Sequence, residues 1–110
     1  MTHINNESNF KKELINYFNN LSKNKIHIMK DINEQKSILT LRDLDSLLTY
    51  DKKYLISQKA QRKIYTRYYF DAFKRVTKNY FTYKYIDGTT IDTTVGQMNY
   101  FKWLFESNIL

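Results

Sequence analysis

From Glu7 to Ser22 the apolar residues Phe10, Leu14, Tyr17, Phe18 and Leu21 recur three and four positions apart. On a 3.6-residue period that is one stripe, and it predicts an amphipathic helix. The stretch Lys23 to Ser37 is polar, and the alternation of Ile26 and Ile28 predicts a short strand or a loop pinned by two apolar side chains. At Thr40 a capping hydroxyl stands three residues ahead of Asp43, with Leu44, Leu47 and Leu48 following, which predicts a capped helix ending near Tyr50 and Asp51. Ser57 then caps a longer predicted helix reaching about Asn79. Its apolar side carries Ile64, Tyr65, Tyr68, Tyr69, Ala72, Phe73 and Val76.

At Tyr80 the period changes to two. Phe81, Tyr83 and Tyr85 alternate with Thr82 and Lys84, and Asp87-Gly88 separates them from Thr89-Thr90-Ile91-Asp92-Thr93. Asp-Gly between β-favouring runs predicts a hairpin, with a type I′ turn that needs positive φ at both central residues. Thr94 with Gln97 three residues on predicts a capping box opening the last helix. There Met98, Tyr100, Phe101, Trp103, Leu104 and Phe105 leave a narrow polar stripe of Asn99, Lys102 and Glu106, so the helix is buried on more than one side.

These elements make one compact α+β domain over residues 1–110, mainly helical, with three to four helices, one C-terminal β-hairpin and residues 1–6 disordered. Helix, extended piece, helix, helix and hairpin is also the order of a winged helix-turn-helix domain. The turn between its helices is long on this reading, and the following helix is longer than such helices usually are. With 110 residues, 42% of them hydrophobic, there is apolar surface for one core. No cysteine is present, so packing alone stabilises the fold. The first residues carry neither a basic nor an apolar leader region, and no apolar run has the length of a membrane span. The expected setting is intracellular, in cytoplasm, nucleus or a packaged particle, with no membrane partner.

Charge changes the picture in the middle of the chain. From Lys52 to Lys84 ten basic residues face the single acid Asp71, a local balance of +9 in a chain of net +7. Lys59, Lys63, Arg67, Lys74 and Lys78 project on the side of the predicted long helix opposite its apolar residues. A solvated face explains lysine but not the missing acid, since ordinary surfaces mix signs and gain i to i+4 pairs. The expectation is a polyanion contact. Lys59, Arg62, Lys63, Arg67, Lys74 and Lys78 would neutralise phosphates, and Gln58 and Gln61 would supply base contacts. Nucleic acid is the expected partner, DNA rather than RNA.

Enzymatic chemistry is not expected. Only His3 and His27 could act as imidazole ligands or bases, and they sit far apart without metal-ligand spacing. Neither Gly88 nor Gly96 lies in a phosphate-cradling loop. Asp43 and Asp45 point about 200° apart on a helix, which denies them a shared acid/base task and leaves solvation as their ordinary role. No catalytic residue, metal or cofactor is therefore assigned. A second expectation draws on the last helix. Tyr100, Trp103 and Leu104 lie away from the Met98, Phe101 and Phe105 side, and a short chain lacks mass to cover both, so a protein partner or a second copy would bury them.

The run Thr93-Thr94-Val95-Gly96-Gln97-Met98-Asn99-Tyr100-Phe101-Lys102-Trp103, with the hairpin before it, resembles segments of uncharacterised small proteins of large AT-rich DNA viruses. The abundance of Asn, Lys, Ile and Tyr agrees with such a source. The resemblance covers the last quarter of the chain and implies a viral protein that handles or packages DNA, or sits in a virion. It transfers no functional residue.

Overall fold

The computed structural model of the chain describes residues 7–34, 40–66, 68–73 and 80–110. Among them are five helices and one two-stranded sheet: α1 (Glu7–Asn19), α2 (Lys23–Asn33), α3 (Leu41–Leu48), α4 (Lys52–Ile64), β1 (Phe81–Lys84), β2 (Thr90–Thr93) and α5 (Val95–Glu106). The fold is α+β and mainly helical, with the hairpin near the C-terminus. None of these helices is long and apolar enough to cross a membrane. The expected disorder of residues 1–6 lies outside the described residues.

α5 is the centre of the core. Only Lys102 and Glu106 of its twelve residues escape burial, and α1 packs along it. Phe18 of α1 reaches both Phe105, at 6.5 Å between ring centroids, and Tyr83 of β1, at 6.1 Å. Thr94 caps α5 by accepting from the Gln97 N–H at 3.1 Å. The Gln97 side chain does not close the box, because it is drawn into the core instead. At the other end Asn108 takes positive φ, the Asn108 N–H donates to Phe105 O and the Ile109 N–H to Leu104 O. That is a Schellman ending, with asparagine in the position glycine usually holds.

The stretch after Ser22 is helical, not extended. Ser22 accepts from the Lys25 N–H, and Ile26, Met29 and Ile32 recur every three residues as the buried face. The apparent alternation fails because Ile28 points outward and Met29 takes its place inside. α2 then lies against β2, with the Lys30 ammonium on Thr90 O at 2.6 Å and the Asn33 amide on Asp92 O at 2.8 Å.

β1 and β2 pair antiparallel, Phe81 opposite Thr93 and Lys84 opposite Thr90. The turn is not type I′, since Gly88 alone takes positive φ in it. Gly88 N–H donates to Tyr85 O and Tyr85 N–H to Thr89 O, the pattern of a turn closed by a left-handed glycine. Inward Tyr83 and Tyr85 send their hydroxyls to Asn19 Oδ1 and Leu21 O, tying the hairpin to the end of α1. Burial pushes the Tyr83 phenol up to about 12, so it remains a donor.

α3 follows the expected capping box: Thr40 accepts from the Asp43 N–H at 3.1 Å and Asp43 reaches back to the Thr40 N–H. The long helix expected from Ser57 is replaced by α4. Asp51 caps it, accepting from the Lys53 N–H at 2.9 Å, and Ser57 lies inside it. The connection from α3 is thus only Thr49, Tyr50 and Asp51, a helix-turn-helix length rather than a long turn.

α4 ends at Tyr65, whose backbone is extended. The reason lies in α5, where Gln97 and Asn99 are buried carboxamides that need partners. The Gln97 amide donates to Ala72 O at 3.1 Å and the Asn99 amide to Tyr69 O at 2.7 Å, while the Asp71 N–H donates to Gly96 O. Carbonyls of a continuing helix would be spent on that helix. The segment after Tyr65 instead lies across the start of α5 and satisfies these side chains.

Candidate nucleic-acid interface

α4 is seated by one face. Gln58 is only 1% exposed and its amide donates to Asp45 Oδ1 of α3 at 2.9 Å. One residue earlier, the Ser57 hydroxyl accepts from the Trp103 indole N–H at 3.0 Å. The opposite face is free of the core and carries Lys52, Lys59 and Lys63, with Lys53 and Arg62 at its two edges, all exposed. Lys52, Ile56, Lys59 and Lys63 follow one another at four, three and four residues and form one stripe.

The ion pairs formed by the described residues lie elsewhere, at Lys23 with Asp87, His27 with Asp87 and Lys30 with Glu34. Among the described residues, none of the five α4 cations has a carboxylate within 4.0 Å. Tyr50, in the turn leading into α4, is 85% exposed, and Ile56 lies open between the lysines.

Neither expected base-contacting residue stands on the ridge. Gln61 is half-buried and, two residues from both Lys59 and Lys63, points about 200° away from them, whereas Gln58 is committed to Asp45 inside the fold and cannot reach a ligand. Lys59 and Lys63 are exposed on the stripe, and Arg62 is exposed at its edge. Lys52 and Lys53, left out of the expected set when α4 was taken to start at Ser57, join them. Arg67, Lys74 and Lys78 lie outside the described residues.

Tyr100, Trp103 and Leu104 are 1%, 5% and 0% exposed, so the second face of α5 is covered by the chain itself. Phe70 does much of this, with ring centroids 5.3 Å from Tyr100 and 5.9 Å from Trp103. These side chains do not stand on the surface, and the expected interface through them corrects to an internal aromatic cluster. The mass that was thought lacking comes from α4 and the non-helical segment after it.

Asp45 is the residue that reading the pattern missed. Its Oδ1 accepts from both Gln58 Nε2 and the Tyr100 hydroxyl, the latter at 2.8 Å, and so links α3, α4 and α5. Burial and then the Asp45 carboxylate raise the Tyr100 phenol far above its ordinary range, which keeps it a donor. The one available signal was the 3.6-residue period, which puts Asp45 four residues behind Leu41 and one from Leu44, at the edge of the buried stripe. Asp45, Arg62, Tyr65, Phe70, Asp71 and Tyr100 also line a cavity of about 410 Å³ between α3, α4 and the start of α5.

His27 serves the hairpin: its Nε2 stands 3.2 Å from Asp87 Oδ2 and 3.3 Å from the Thr89 hydroxyl. His3 lies outside the described residues. Among those described, no three His, Asp or Glu side chains come together as a metal site would require.

The chain belongs to a family of unknown function (DUF7197), whose model matches residues 3–110. No curated protein and no solved structure matches it.

Proposed function

We propose that the chain is a non-enzymatic nucleic-acid-binding module that engages phosphates through the exposed face of α4. The observation that carries this reading is the set of five exposed cations on a helix whose charged groups have no carboxylate within 4.0 Å among the described residues. Uncompensated positive charges repel one another, and a polyanion relieves that repulsion while releasing its own counterions. Lys52, Lys59 and Lys63 follow one strand of phosphates, and Lys53 and Arg62 flank it. A seated helix suits the task, because its backbone is already ordered and only the side chains lose freedom on binding.

The test is fluorescence anisotropy with labelled duplex and single-stranded DNA across a salt series. Three to five phosphate contacts give a log–log salt slope of about −2.7 to −4.5 on duplex. Lys59→Glu with Lys63→Glu should abolish binding and leave the melting temperature within a degree or two, about the range expected of exposed substitutions. A slope shallower than about −1, or unchanged binding by the double variant, refutes the proposal.

A further inference from the structure

The cavity behind the ridge offers chemistry that phosphate contact does not use. At about 410 Å³ it is within the size range of small-molecule sites. Its walls include Tyr65, Phe70 and Tyr100, with Asp45, Asp71 and Arg62 as charged groups. Asp45 and Arg62 share this space without an ion pair within 4.0 Å, so each can address a ligand separately. Both hydrogen bonds that Asp45 accepts fall on Oδ1, and Oδ2 holds none among the described residues. Arg62 belongs at once to the exposed cations of α4 and to the cavity.

The half-buried Tyr65 ring, the open Asp45 carboxylate oxygen and a guanidinium at the edge of a phosphate track suit a base turned in from a strand held on that track. We infer that the cavity receives one unpaired nucleobase bearing an exocyclic amino group, which donates to Asp45 Oδ2 while Arg62 holds the adjoining phosphate. Adenine and cytosine present such an amine. Thymine presents its N3–H only between two carbonyl oxygens, which would face the carboxylate. The inference rests on the phosphate-binding reading of α4 and adds a preference for unpaired strands and for amine-bearing bases.

The test uses the full chain and oligothymidylates that differ at one central position: adenine, purine without the 6-amino group, or thymine. A hydrogen bond to a charged acceptor makes the adenine strand bind about tenfold more tightly than the amine-free purine strand. Asp45→Asn retains an oxygen for Gln58 and Tyr100 but puts an amide N–H₂ in place of Oδ2, and it should erase that difference. Equal binding of the adenine and amine-free strands by the unaltered protein overturns the inference and leaves the phosphate reading standing. Binding of no strand even at low salt overturns both. Adenosine monophosphate alone should compete only weakly; competition as strong as that of the strand assigns the cavity to a free nucleotide and also overturns the inference.

Discussion

Removing the Asp45 carboxylate tests how the three helices around the site are held. Asp45→Ala leaves the Tyr100 hydroxyl and the Gln58 amide, both 1% exposed, without their acceptor. A buried donor stranded in this way costs about 1–3 kcal/mol, so the two together cost about 2–6 kcal/mol. Water entering the adjoining cavity can satisfy part of that loss, which brings the expectation to about 2–4 kcal/mol. For a domain whose whole stability is about 5–15 kcal/mol, that is a large fraction. At roughly 4 °C per kcal/mol the melting temperature falls by about 8–16 °C. Urea denaturation followed by circular dichroism measures it, with Tyr100→Phe and the double variant completing a cycle. Tyr100→Phe alone should cost about 1 kcal/mol, and the double variant should cost less than the sum, because one stranded donor is gone. A loss below about 0.5 kcal/mol for Asp45→Ala, or strict additivity, would show that the carboxylate does not organise this junction.

Two further outcomes follow from the same packing. Hydrogen bonds from the Thr89 hydroxyl, the Thr89 N–H and His27 lower the Asp87 carboxyl from 3.8 to about 2. Its folded value is therefore below its unfolded one. Its contribution is fully present above pH 3.8 and is lost as pH falls through about 2. Acid titration of stability should show this slope between those values in the parent and a weaker one in Asp87→Asn; equal slopes would remove the role. Phe18→Ala empties a fully buried position shared by α1, β1 and α5, and it should cost about 3–5 kcal/mol by urea denaturation. A cost under about 1 kcal/mol would mean that α1 is not seated on α5 as described.

The elements read most securely from the sequence were those with a long stripe or with two independent local signals. α1 has a five-member stripe, α3 a stripe and a capping box, and the hairpin a change of period and a glycine. Where a signal of one or two residues stood alone it misled. Ile26 and Ile28 suggested alternation until Met29 and Ile32 are counted with Ile26, and then the three-residue spacing is plain. Ser57 looked like a cap because serine favours that position, yet its hydroxyl is claimed by Trp103, forty-six residues away. Asp51 was the better cap, since starting the helix there also leaves a short turn after α3.

The candidate site was legible as charge and illegible as geometry, for a reason rooted in α5. A helical wheel drawn from 57 to 79 assumes that local periodicity decides where a helix stops. Here the stop is set by Gln97 and Asn99, two carboxamides in the most apolar helix of the chain, which take backbone carbonyls from the segment after Tyr65. The same segment delivers Phe70 onto Tyr100 and Trp103, so the aromatic surface expected to seek a partner is closed from within. At its other end, starting α4 after Asp51 moves the ridge toward the N-terminus and brings in Lys52 and Lys53, while Gln58 turns inward against Asp45. Buried amides on an apolar helix therefore act at a distance on the basic helix: they fix its end and hold the segment that walls the cavity behind Arg62. Gln97→Leu or Asn99→Leu would free those carbonyls to extend α4. Hydrogen exchange should then show new protection after Tyr65, whereas an unchanged pattern there would mean that α4 ends for reasons of its own.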